Sequence, residues 1–209
     1  MFRSKKDAAV AGGYFVARNP TPGTPIEFVV NAAVNEYTGY FLAIRKLEPT
    51  EQNPAQSLVL DYIRLICGVA PASADGAQFF VKLTNNRRYQ SGGTELTPRN
   101  ANTNSSRLST AKIYAGALTT VECGPDRLVA GGVLRTAIPV VGDEWLISFG
   151  ASDLVDGYAL TGGVAAERMV IPSAPCVVGV QQTALLQLWF PSNAAVAAQF
   201  EVEAGWHEE

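Results

Sequence analysis

AVAAQFEVEAGWHEE, residues 195–209, is the stretch whose pattern decides the fold. Within it Ala198, Phe200, Val202, Ala204 and Trp206 alternate strictly with Gln199, Glu201, Glu203, Gly205 and His207. Successive side chains leave a strand on opposite faces, so a period of two over this length belongs to a half-buried β-strand. Phe200, Val202 and Trp206 are expected to face inward. The C-terminus is expected to be tied into a sheet rather than loose.

Working back along the chain, the same kind of run recurs. CVVGVQQTALLQLWF (176–190), EWLISFG (144–150), RLVAGGVLRTAI (127–138), AKIYAGALTTVEC (111–123), AQFFVKL (77–83), QSLVLDYIRLICGV (56–69), YTGYFLAIRKLEP (37–49) and IEFVVNAAV (26–34) are rich in apolar and β-branched residues. Pro49, Pro71, Asp75-Gly76, Val141-Gly142-Asp143 and Pro191-Ser192-Asn193 punctuate them. Helical spacing is confined to EQNPAQSLVLDYI (51–63) and DLVDGYALTGGVAAERMV (153–170), and neither has the caps or length of a core helix. With 19 glycines and 12 prolines spread among the runs, the pattern predicts an all-β, antiparallel β-sandwich or barrel. No internal repeat appears, and no composition shift after residue 25 marks a second domain. Residues 26–209 are read as one β-sandwich.

Two segments depart from the strand pattern. Residues 1–25 include Asn19-Pro20-Thr21-Pro22-Gly23-Thr24-Pro25, whose prolines forbid regular structure, and the whole segment is expected to be an extended N-terminal arm. Tyr14, Phe15 and Val16 would dock this arm either on its own domain or on a neighbouring subunit. The second departure is TNNRRYQSGGTELTPRNANTNSSRLST, residues 84–110, almost free of large aliphatic side chains. It is expected to be a long polar loop, either a mobile hairpin or crossover, or an ordered segment packing on a partner. In the second case Arg87, Arg88, Tyr89 and Arg99 are the contact residues, together with Tyr14, Phe15 and Arg18 of the arm.

Composition bounds the function. Hydrophobic residues make up 47% of the chain and charged ones 17%, so a sizeable core is available and the surface is short of charge. Such a surface is often one partly covered by something else. The net charge of −3 gives no basic face for nucleic acid. No run reaches the roughly 18–20 apolar residues of a membrane helix. The N-terminus lacks the apolar segment of a signal peptide, so synthesis in a cytoplasm is expected. Cys67, Cys123 and Cys176 are odd in number and widely spaced, which predicts buried free thiols rather than disulfides or zinc ligands.

Chemistry-bearing patterns are weak. His207 is the one histidine, and so near the terminus it is expected to be too loosely held for a catalytic base. Asp143-Glu144 are adjacent, hence on opposite faces of a strand, and read as turn chemistry. Asp153, Asp156 and Glu167 are candidates for a calcium or carbohydrate site or a glycosidase, and Asp143, Glu144, Asp153, Asp156 or Glu167 for the acids of an enzyme on the same fold, without matching a fixed pattern. Gly92-Gly93, Gly131-Gly132 and Gly162-Gly163 stand as pairs without a phosphate-binding fingerprint, and are read as bulges or turns. No catalytic, metal or cofactor site is predicted, and the chain is not expected to be an enzyme.

The arm ARNPTPGTPIEFVV, the excursion RRYQSGGTELTPRNANTNSSR and the closing LLQLWFPSNAAVAAQFEVEAGWHEE together resemble the jelly-roll cement, or head decoration, proteins of tailed bacteriophages. The resemblance covers most of the chain as architecture, through loose motifs, and transfers no site residue. It implies a jelly-roll sandwich forming a homotrimer on the outside of the virion capsid, with the major capsid protein as partner. The alternative is a carbohydrate- or receptor-binding sandwich of a virion or cell surface.

Overall fold

A computed structural model of the chain describes residues 5–27, 39–71, 79–84, 87–124, 127–135, 139–150, 168–189 and 198–209. A short helix α1 (Lys5–Val10) precedes strands β1 (Tyr14–Arg18), β2 (Ile26–Glu27), β3 (Tyr40–Lys46), β4 (Ser57–Val69), β5 (Phe79–Thr84), β6 (Arg87–Leu96) and β7 (Arg99–Asn100). There follow β8 (Ala111–Glu122), β9 (Leu128–Arg135), β10 (Glu144–Phe149), β11 (Arg168–Ser173), β12 (Cys176–Gly179), β13 (Thr183–Trp189) and β14 (Gln199–Glu208). The protein is all-β, as its alternation predicts. Among the described residues no helix is long and apolar enough to cross a membrane.

The strands form two sheets. One has the order β11-β10-β4-β14-β1-β7, with β12 also on β4 and β2 also on β14. The other has the order β6-β8-β3-β13-β5-β9. Pairing is antiparallel in every described pair but β10 with β11, which run parallel. The sheets share one core, to which β4 and β14 contribute from the first sheet, and β3 and β13 from the second.

The C-terminal strand behaves as its sequence dictates. Phe200, Val202, Ala204 and Trp206 are buried, while Gln199, Glu201, Glu203 and His207 are half-buried on the other face. Trp206 stacks on Phe15 with ring centroids 6.2 Å apart. Phe200 meets Phe41 edge-on at 5.8 Å and Trp145 at 6.1 Å. Such aromatic pairs contribute about 0.5–1.5 kcal/mol beyond the area they bury. Far from being an outer strand, β14 lies between β4 and β1.

The extended arm expected over residues 1–25 is corrected. Lys5–Val10 is helical and closes on Gly12, whose φ of 68° lets its N–H reach back to Ala9 O at 3.0 Å and Gly13 N–H to Ala8 O at 2.8 Å. Tyr14–Arg18 is then a full strand between β14 and β7. Both β1 and β2 run antiparallel to β14, Arg18 opposite Glu203 and Ile26 opposite Phe200. Residues 14–27 are therefore one strand interrupted by the proline-rich turn. Asn19, buried, fastens the interruption by accepting Val202 N–H and donating to Thr24 O.

The long loop expected over 84–110 is corrected as well. Arg87–Leu96 is a strand on β8, and Arg99–Asn100 adds a short one on β1. The stretch is poor in aliphatics because every residue from Gln90 to Glu95 is exposed, not because its backbone is unpaired. Gly92 and Gly93, at φ of 90° and 75°, flank a register shift, and a Cβ on Gly92 would stand 2.5 Å from Ala117 O. At this bend the β6–β8 hairpin packs Tyr89 and Leu118 on Tyr40, Ala43 and Leu185. Leu185 points away from the main core to which its neighbours Ala184 and Leu186 belong. The asparagines and serines beyond β7 serve the backbone: Asn102 N–H donates to Asn100 Oδ1 (2.8 Å), Asn104 N–H to Asn102 Oδ1 (3.0 Å) and Arg107 N–H to Ser105 Oγ (3.2 Å).

Cys67 and Cys176 are buried free thiols, and burial pushes the Cys176 pKa up to about 12. Cys123 corrects the expectation, being free but exposed just beyond the end of β8.

Candidate docking face

Outward-facing side chains of the first sheet form rows set by its register. Arg18 on β1 lies opposite Glu203 on β14, which lies opposite Arg64 on β4, itself opposite Leu146 on β10. Arg64 grips Glu144 with two hydrogen bonds, 2.9 and 3.1 Å, and Arg168 Nε adds a third contact to Glu144 at 3.2 Å. Hydrogen bonding to Glu144 raises the Arg64 guanidinium pKa further still. Tyr62 donates to Glu203 at 2.7 Å, and Tyr14 donates to Asp61 Oδ2 at 2.7 Å, while Lys5 pairs with Asp61. Both phenols titrate well above the usual range, first because they are buried and second because they donate to carboxylates. The face is thus braced charge against charge, and a braced surface loses little side-chain freedom when something docks on it.

Gly205 makes the bracing possible. A Cβ there would stand 2.3 Å from the Tyr62 ring and 2.8 Å from the Tyr14 hydroxyl, so the two tyrosines meet across β14 only over a glycine.

At one end of the face a cavity of about 440 Å³ opens beside the proline turn, with Arg18, Pro20, Pro22, Thr97 and Arg99 around it and Val16 and Glu203 in its wall. Arg18 and Arg99 are both exposed. Among the described residues neither makes an ion pair or a side-chain hydrogen bond. They come one from each of the two departures from the strand pattern, and β1–β7 pairing brings them together.

The other predicted contact residues are not part of this group. Phe15 is 1% exposed under Trp206, which corrects its reading as a contact residue: its alternation places it on the inner face of β1. Tyr14 is engaged by Asp61. Arg87, Arg88 and Tyr89 lie on β6 in the other sheet. Arg87 donates to the Tyr40 hydroxyl and lies 5.4 Å from its ring centre, while Tyr89 stacks on Tyr114 at 4.2 Å with rings nearly parallel. Arg88 is exposed.

Sequence reading missed Arg64, Glu144, Tyr62 and Glu203 as a unit. The signal was present in the outward positions of DYIRLIC and QFEVEAG, but only register shows which of them face one another. Of the candidate acids, Asp143 is buried in its turn and accepts Val140 N–H at 2.9 Å, as turn chemistry predicts, while Glu144 belongs to the outer face. Asp153, Asp156 and Glu167 lie outside the described residues, and so do Gly162 and Gly163. Among the described residues no group of three or more His, Cys, Asp or Glu side chains is arranged to hold a metal ion.

His207, expected to be loose, is held in β14 opposite Tyr14 and Val59, with Nε2 3.1 Å from Glu209 Oε1. It lines a second cavity, of about 340 Å³, together with Ala8, Ala11 and Arg107. Compared with known proteins, the chain matches no family model, no curated protein and no solved structure.

Proposed function

We propose that the protein is a structural virion protein that binds and stabilises the outside of an assembled phage capsid, a decoration protein with a sandwich of jelly-roll type. The observation that carries this reading is the braced outer face of the first sheet with Arg18 and Arg99 unengaged at its open end. A rigid face with two free cations is built to hold another surface, and the charge-poor remainder suits a protein that works partly covered. The partner is the major capsid protein. A protein that binds only the closed shell stabilises it by mass action, and three linked copies in a homotrimer multiply modest single contacts.

The test is co-sedimentation of the purified protein with shells assembled from the capsid protein of the encoding phage, beside unassembled capsid protein. Solution mass by light scattering over a concentration range accompanies it. Binding to shells but not to free subunits, by a concentration-independent trimer, is expected. No binding to shells at any concentration sinks the reading. Saturable binding to a glycan panel in its place would turn it towards a carbohydrate- or receptor-binding module.

A further inference from the structure

We infer that the cleft between Arg18 and Arg99 receives an extended segment of a partner protein carrying carboxylates at alternate positions, of the form acidic–any–acidic. This deepens the docking reading and rests on it.

Spacing carries the inference. Arg99 on β7 is paired with Val16 on β1, and Arg18 lies two residues further along β1 on the same face. Diagonal neighbours of this kind have origins about 7–8 Å apart across a sheet. In an extended chain, residues i and i+2 point to the same side and are separated by about 6.6 Å. Two carboxylates at those positions therefore meet two guanidiniums without distortion of either chain. A helical segment would present its same-face acids at three- and four-residue spacing instead.

Charge agrees with the spacing. Across this cleft and the smaller one adjoining it, the cations are Arg18, Arg64 and Arg99 and the carboxylates Glu201 and Glu203. Both carboxylates accept a hydrogen bond, Glu203 from the Tyr62 hydroxyl and Glu201 from the Gly23 N–H at 2.7 Å, and among the described residues neither forms an ion pair with Arg18 or Arg99. Arg64 is held by Glu144. The two guanidiniums at the cleft are what remains for an incoming carboxylate, and each matches it in bidentate geometry. Position in the fold agrees too. In the strand order of its sheet β7 is last and only two residues long, so among the described residues no strand pairs with β1 on that side beyond Val16, and an extended chain can lie there.

The experiment is fluorescence anisotropy with three labelled probes and the full chain: a peptide with repeated Glu-Val, one of identical composition with its glutamates blocked in twos as repeated Glu-Glu-Val-Val, so that no two stand two residues apart, and an oligogalacturonate as a non-peptide polyacid. The alternating peptide is expected to bind at least tenfold tighter than the other two. Arg18→Ala and Arg99→Ala should each weaken it several-fold, and Arg88→Ala, an exposed arginine on the other sheet, should leave it unchanged. Melting curves check that each variant is folded. Equal binding of alternating and blocked peptides, tighter binding of the oligogalacturonate, or undiminished binding by Arg18→Ala/Arg99→Ala overturns the inference. Shell binding that survives the double substitution overturns the cleft and leaves the decoration reading standing. Alternating-peptide binding without shell binding does the reverse.

Discussion

Lys46 and Glu208 share one hydroxyl. Lys46 Nζ donates to Thr110 Oγ1 at 2.6 Å, and Thr110 Oγ1 donates to Glu208 Oε2 at 2.9 Å, with both charged residues buried. Glu208 also accepts from Trp206 Nε1, Ser109 Oγ, Asn53 Nδ2 and the Thr110 N–H. This fastens the last strand to the loop before β8 and to the segment before β4. A buried carboxylate with so full a set of donors is stable only as long as each has its acceptor. Glu208→Ala leaves five donor groups without their acceptor, and the Lys46 ammonium without the carboxylate behind its hydroxyl partner. A loss of about 3–5 kcal/mol is expected in urea unfolding, with Glu208→Gln costing less.

Gly205→Ala is expected to cost about 1–3 kcal/mol, because its methyl group enters the space of the Tyr62 ring and the Tyr14 hydroxyl. The cost should shrink when Tyr62→Ala is made in the same chain. A double-mutant cycle from urea midpoints reads that coupling, and simple additivity would show that the two residues do not compete for space.

Alkaline stability follows from the raised phenols. Because Tyr14 and Tyr62 titrate higher folded than unfolded, their contribution is whole below the ordinary value of 10.0 and is lost as pH climbs from there towards the folded values. The melting temperature should fall above pH 10. Tyr14→Phe and Tyr62→Phe should flatten that limb without moving the neutral plateau by the same amount. Tyrosinate absorbance should appear in two stages, the later one coinciding with unfolding.

Thiol chemistry separates the three cysteines. Cys123 is exposed, whereas Cys67 and Cys176 are buried and Cys176 resists ionisation. A thiol-reactive probe at neutral pH should label one residue quickly and two only on unfolding. Three fast equivalents would show that the core opens far more readily than its packing implies.

Much of the sheet was legible in the sequence because strand alternation is a local property. The inward set of β14 can be read from residues 198–206 alone, and the turn at Asp143 from its own dipeptide. What escaped depends on partners distant in sequence. Residues 14–18 have no long alternating run, and their strand exists because β14 offers a partner and Trp206 a surface for Phe15. The stretch 90–95 has the composition of a loop because it is exposed on a bent hairpin, and composition reports exposure as readily as disorder. The site was half visible: Arg18 and Arg99 stood among the expected contact residues, but their meeting depends on a two-residue strand too short to leave a pattern. Lys46 and Glu208 gave no sign at all, since a lysine closing a strand and an acid near a terminus are ordinary on a surface.

The place of β14 bears on how the chain is made. It is synthesised after every other described strand, yet it lies in the middle of its sheet, with β4 on one side and β1, the first of the described strands, on the other. Until it arrives, β1 has among the described residues only the two of β7 to pair with, and Phe15 has no Trp206 to cover it. Most of the ladder between the two halves of that sheet therefore forms in a single late event of high sequence separation. Folding is expected to be slow, with β1 exposed to capture by another copy until β14 pairs with it.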